Sequence, residues 1–169
     1  AWAQGRAGVP SAVDALHSTT LAPGGGVYLF GTTRTEEGGR DLLVARVAPD
    51  GTLQWASAVD GGGTDDAPQR ARFRPAGSIT VAVDGDVLVS GTSVSDQEQE
   101  RALVARLAPN GTARWVSRLD REPAVSGQFA GSVVDDGAGG AAVPVLIDDF
   151  VALAVEVVRL NADGGIDGT

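Results

Sequence analysis

The 169 residues amount to 17.1 kDa, the size of one hydrophobic core, so a single domain over residues 1–169 is expected. Hydrophobic residues at 43% and charged ones at 21% match a folding chain rather than a disordered one, and no apolar run nears the roughly 18 residues of a membrane span. A net charge of −9, with every one of the 13 basic residues an arginine, argues against nucleic acid as a partner, because phosphate affinity rests on clustered positive charge.

Residues 1–8 hold Trp2 in a short segment of strand character. Residues 18–59 contain VYLFGT at 27–32, LLVARVAPDG at 42–51 and then Trp55, with the long polar connection TTRTEEGGRD between them at 32–41. Residues 78–119 read as four strands, SITVAV, DVLVSG, RALVARL and ARWVSR, separated by Asp84-Gly85, by TSVSDQEQER and by Pro109-Asn110-Gly111. Residues 130–160 hold three further strand segments, ending in VVRLNADG at 157–164. No helical period appears between them.

These segments repeat. LLVARVAPDG at 42 recurs as ALVARLAPNG at 102, a period of 60, and VYLFGT at 27 recurs as VLVSGT at 87. Arg46 and Arg106 align with Arg159, the last at the shorter offset of 53, and Trp2 precedes Trp55 by the same 53. Each unit has four short antiparallel strands joined by tight glycine turns, which is the pattern of a β-propeller blade. The expected fold is all-β, with three propeller-type four-stranded antiparallel blades. Residues 18–59 form the first, 78–119 the second and 130–160 the first three strands of the third; residues 1–8 supply a lone fourth strand that completes a last blade. Pro144 falls inside the second strand of the third unit, so an edge or bulge is expected there.

The motifs VYLFGT…DLLVARVAPDGTLQW and VLVSGT…RALVARLAPNGTARW resemble the bacterial secreted β-propeller repeats called SBBP repeats. The resemblance covers two units well and the third in part. It implies a propeller, an extracellular or bacterial cell-surface location, and no catalytic motif.

Three blades splay too far to close a ring of the usual 4 to 8. A strand-exchanged homo-oligomer is therefore expected: a six-bladed dimer in which each N-terminal strand, marked by Trp2, completes its partner's last blade, or an open filament. The alternative is a segment of a longer chain, and the missing methionine, even at position 1, fits a processed form or such a piece.

Antiparallel order puts the tight turns on one rim and the long connections on the other. Glu36, Glu37, Asp41, Asp65, Asp66, Asp96, Glu98 and Glu100 gather on the long-loop rim, the natural place for a cation or a basic partner, or else a solvated, solubilising surface. Arg70, Arg72 and Arg74 alternate as a strand face does, with Asp65 and Asp66 close upstream. NADGGID at 161–167 has calcium-loop spacing, but Arg159 occupies the first position and no Glu stands at the twelfth, so it reads as a repeat turn and no metal is assigned. His17, the single histidine, reads as a packing residue, and Asp135-Asp136 and Asp148-Asp149 as turn acids rather than a glycosidase pair. The repeated Trp and Arg are expected to sit between blades, each Arg paired with acids or carbonyls of a neighbour. No cofactor is called for, since cysteine is absent and no cofactor motif is present. The expected function is a non-enzymatic, exported scaffold or adhesion module acting by protein–protein assembly; the alternative is an acidic-rim module for a cation or carbohydrate.

Overall fold

A computed structural model describes residues 15–34, 40–61, 64–66, 77–94, 100–119, 127–148 and 152–167. Among these it contains strands and no helix, in the order β1 (Ala15–Leu21), β2 (Val27–Arg34), β3 (Arg40–Val47), β4 (Leu53–Val59), β5 (Thr64–Asp66), β6 (Ser78–Val81), β7 (Val87–Val94), β8 (Glu100–Leu107), β9 (Ala113–Leu119), β10 (Gly127–Ala130), β11 (Val134–Asp135), β12 (Ala141–Asp148) and β13 (Leu153–Leu160). The fold is all-β with propeller-type blades. Residues 1–8, the expected closing strand, lie outside the described residues.

The first blade is the antiparallel meander β1-β2-β3-β4. The second is β6-β7-β8-β9, and the third is built on β12, flanked by β13 and by the collinear pair β10 and β11. Repetition extends to irregularities: the third and fourth strands slip register between Arg46 and Val47 in one blade, and between Arg106 and Leu107 in the next.

Two features depart from separate blades of four simple strands. The first strand of each later blade is broken: β5 and β6 lie end to end along β7, and β10 and β11 along β12. Blades two and three also share one hydrogen-bonded network, because Gly127 of β10 pairs in parallel with Glu100 of β8. Pro144 lies in the middle strand β12, not on an edge. Its carbonyl accepts from Gly131 N at 2.7 Å, at the break between β10 and β11. A strand residue's N–H and C=O point to the same neighbour, so the missing proline N–H faces that break, where no ladder bond is lost.

The cores lie between blades. Tyr28, Phe30, Leu42 and Val44 of the first blade pack against Val87, Val89, Leu103 and Leu107 of the second. Leu88, Val104, Trp115 and Leu119 of the second pack against Val143, Val145, Val158 and Leu160 of the third. The second sheet thus has a forward face turned to the third blade and a backward face turned to the first, and the corresponding faces of the other two sheets are named alike. β8 is consequently buried on both sides over Arg101–Leu107.

Candidate functional site

The blade-to-blade anchors begin in the turns. Ala108, Asn110 and Gly111 close a tight turn in which Gly111 N donates to Ala108 O at 2.9 Å and Thr112 N donates to Asn110 Oδ1 at 3.1 Å. Gly111 has φ 87° and lies against Trp55, so a Cβ there would come within 2.7 Å of the indole. Only glycine meets both demands. The turn then accepts from the preceding blade: Trp55 Nε1 donates to Pro109 O at 3.0 Å, and Ser57 Oγ to Gly111 O at 2.8 Å. Asn161–Gly165 forms the equivalent turn in the third blade, where Trp115 packs on Gly164 and Ser117 Oγ donates to Gly164 O at 2.6 Å. Trp115 Nε1, by contrast, is buried without an acceptor among the described residues.

Arg106 forms a latch beside this anchor, with acceptors in its own blade and in the next. Its Nε donates to Asp86 Oδ2 at 2.8 Å, Nη2 to Asp84 Oδ2 at 2.8 Å, and Nη1 to Asp135 Oδ1 and Gly140 O at 3.2 Å each. Asp84 and Asp86 belong to the same blade, Asp135 and Gly140 to the next. Arg114 also donates to both oxygens of Asp86. Burial works against the Arg106 charge, but hydrogen bonds to Asp86 and Asp84 outweigh it and hold the guanidinium pKa above its ordinary value. The Asp86 N–H holds the Asp84 carboxyl below the usual carboxylate value; slight burial opposes this and Arg106 reinforces it. With four of the five Arg106 N–H groups bonded to acceptors on two blades, the cluster acts as a clamp between them.

The repeated arginines are not equivalent. Arg46 donates to Pro23 O of its own blade at 3.2 Å and lies over the Tyr28 ring, 5.5 Å from its centre. Its expected cross-blade pairing is therefore corrected: Asp135, which reaches Arg106, pairs with the first residue of β12, and the residue paired with the first of β7 is Val81, which has no carboxylate; within the blade, Asp84 and Asp86 are replaced in the first unit by Gly24 and Gly26. Arg159 is exposed.

The rim acids are only partly placed. Glu36, Glu37, Asp96 and Glu98 lie outside the described residues, as do Arg70, Arg72, Arg74 and Asp149. Asp65 and Asp66 belong to β5, opposite Ser93 and Thr92 of β7, and Glu100 opens β8. Asp41 in β3 is half-buried, and burial first, then the charge of Asp60, pushes its carboxyl pKa up. Among the described residues no group of three or more His or acidic side chains could hold a metal ion. Asp135 is taken up by Arg106 and by Val83 N, while Asp136 caps the turn through Ala138 N and Gly140 N. His17 sits at a bulge of β1 against Phe30 and Thr32.

Among the described residues the third blade ends on β13. β13 is paired along one edge by β12 from Leu153 to Leu160. Along the other, a fourth strand has only begun: Ile166 bridges Leu160, and Asp167 N donates to Arg159 O at 2.9 Å. Beyond Arg159 no described strand follows that edge.

Residues 84–113 match the model of a family described as a domain of unknown function (DUF5122) beta-propeller. That supports a β-propeller family and does not extend to the secreted-repeat resemblance. No curated protein matches the chain. Among solved structures, the chain is similar to a thermostable family-43 glycoside hydrolase, with a TM-score of 0.49 and 10% identity over 87% of this chain. It spans 50% of that structure's length. The expectation that the chain is not an enzyme is withdrawn on this finding: the similar structure is a hydrolase. At this identity none of its residues carries over.

Proposed function

We propose that the chain is a propeller-type scaffold or adhesion module that works by protein–protein assembly, its third blade completed by a strand from a second copy. The observation that carries the reading is the outer edge of β13, which a fourth strand joins at Arg159 and Leu160 and which no other strand follows among the described residues. A strand at the edge of a sheet can take up a further strand through its main-chain N–H and C=O groups. Residues 1–8 have the sequence to fill it. In the second blade Trp115 opposes Arg106, and by the shared offset of 53 Trp2 would oppose Arg159, with Ala3–Arg6 running along Val158–Val155. Resemblance to secreted repeats supports an extracellular or cell-surface setting.

The test is the mass in solution of the whole chain and of a form lacking residues 1–8. The full chain should run as two or more copies of 17.1 kDa, and the truncated form as one. A full-length chain that stays a monomer by light scattering at all concentrations overturns the reading.

A further inference from the structure

Resting on that assembly reading, we infer that a second copy also docks face to face, its first blade covering the forward face of this chain's third blade. The argument comes from the two interfaces the chain already contains. Forward-face residues Leu42 and Val44 of β3 are 0% exposed under the second blade, and Ala102 and Val104 of β8 are 0% exposed under the third. The residues aligned with them in β13, by the Arg46-Arg106-Arg159 register, are Val155 and Val157. They are 70% and 61% exposed.

The surrounding surface is apolar too. Val155 pairs with Leu146 and Val157 with Pro144 on β12, while Leu153 and Val134 extend the patch, 65% and 54% exposed. A strand with one solvated face alternates apolar with polar residues, whereas strands covered on both faces read as continuous apolar runs. LAVEVVRL carries apolar residues on both faces: Val158 and Leu160 fill the backward face beyond Glu156, and the forward face carries Leu, Val and Val before Arg159.

The same chain supplies the matching cover. Backward-face residues Val87, Val89 and Leu103 are what bury Leu42 and Val44, and all three are 0% exposed. Their counterparts one period earlier, Val27, Leu29 and Leu43, are half-buried; Ala45 and Val47 on the same face are 6% and 7% exposed, and neighbouring Leu53 is 40% exposed. The turn needed for the anchor is also present: Gly51 N donates to Ala48 O at 2.9 Å with φ 88°, as at Gly111. Forward face of one copy and backward face of another therefore form a third instance of an interface present twice within each chain. Two such contacts related by a two-fold close six blades; one contact repeated in a single sense gives a filament.

The test replaces Val155 and Val157 together by Asp. Both side chains are largely exposed, so the variant should keep the urea midpoint of the separated chain. Light scattering should read a single 17.1 kDa chain for V155D/V157D, whereas the wild type gives two or more and Val83→Asp, 85% exposed but off the face, matches the wild type. Leu53→Asp, on the opposing face, should dissociate it as well. If the wild type assembles and V155D/V157D assembles equally, the face inference fails while strand completion stands. If the wild type is monomeric, both fail.

Discussion

Replacing Arg106 by Met separates a clamp from a decoration. The change removes four hydrogen bonds, among them the 2.8 Å bond to Asp86, whose side chain is 2% exposed. Stripping one partner from a buried ion pair costs ~3–5 kcal/mol, since the remaining charge stays desolvated. Here Asp86 keeps Arg114, Asp135 keeps Val83 N, and Asp84 is 53% exposed to water, which places the loss near the lower end, at about 3 kcal/mol. Arg46→Met at the repeat-equivalent site removes one bond to a carbonyl and a ring contact, worth about 1 kcal/mol. Urea unfolding followed by tryptophan fluorescence reads both as shifts in midpoint at constant slope. Asp86→Asn in the R106M background should recover part of the loss by discharging the buried carboxylate. Equal losses for R106M and R46M would refute the clamp.

Asp41→Asn tests the opposite sign of charge. Burial and Asp60 raise the folded pKa of Asp41 above the unfolded 3.8, so the unfolded chain sheds this proton first and stability falls as pH climbs from 3.8 through the folded value. D41N should therefore unfold at a higher temperature than wild type at neutral pH and match it well below pH 3.8; a lower melting temperature at pH 7 would contradict this. Trp55→Phe should cost about 1 kcal/mol more than Trp115→Phe, because only the Trp55 N–H has an acceptor to lose. Trp115→Ala should cost ~3–5 kcal/mol in a denaturant melt, as a large ring 8% exposed is removed from the second interface.

The fold was readable wherever physics acts locally. Alternating apolar residues, and glycines at the tight turns, determine strands and hairpins from a few neighbours, which is why the units repeat so visibly. The broken first strands were not readable. β5 has three residues and β11 two, too short to show a period, and their places are set by pairing with β7 and β12. Pro144 did carry a signal, and the structure shows what it marks: a middle strand with its empty side turned to a break.

The Arg106 clamp shows a different limit. Repetition exposes what units share, and Arg46, Arg106 and Arg159 are shared; the residues that give them different work are not. Asp84 and Asp86 stand where the first unit has Gly24 and Gly26, and the third unit contributes Asp135, paired with the first residue of β12, where the second unit pairs Val81 with the first residue of β7. A repeat search discards such positions as divergence. Physically they are where one blade is fitted to its own neighbour, since a buried guanidinium must find its acceptors among whatever the adjoining turns supply. Arg46 finds a carbonyl and a ring, Arg106 finds three carboxylates, and Arg159 lies exposed beside the face inferred to receive another copy. The interface that is charged thus lies between the second and third blades, and the surface left apolar lies at the outer side of the third, so that side is the one fitted to accept a partner by hydrophobic cover.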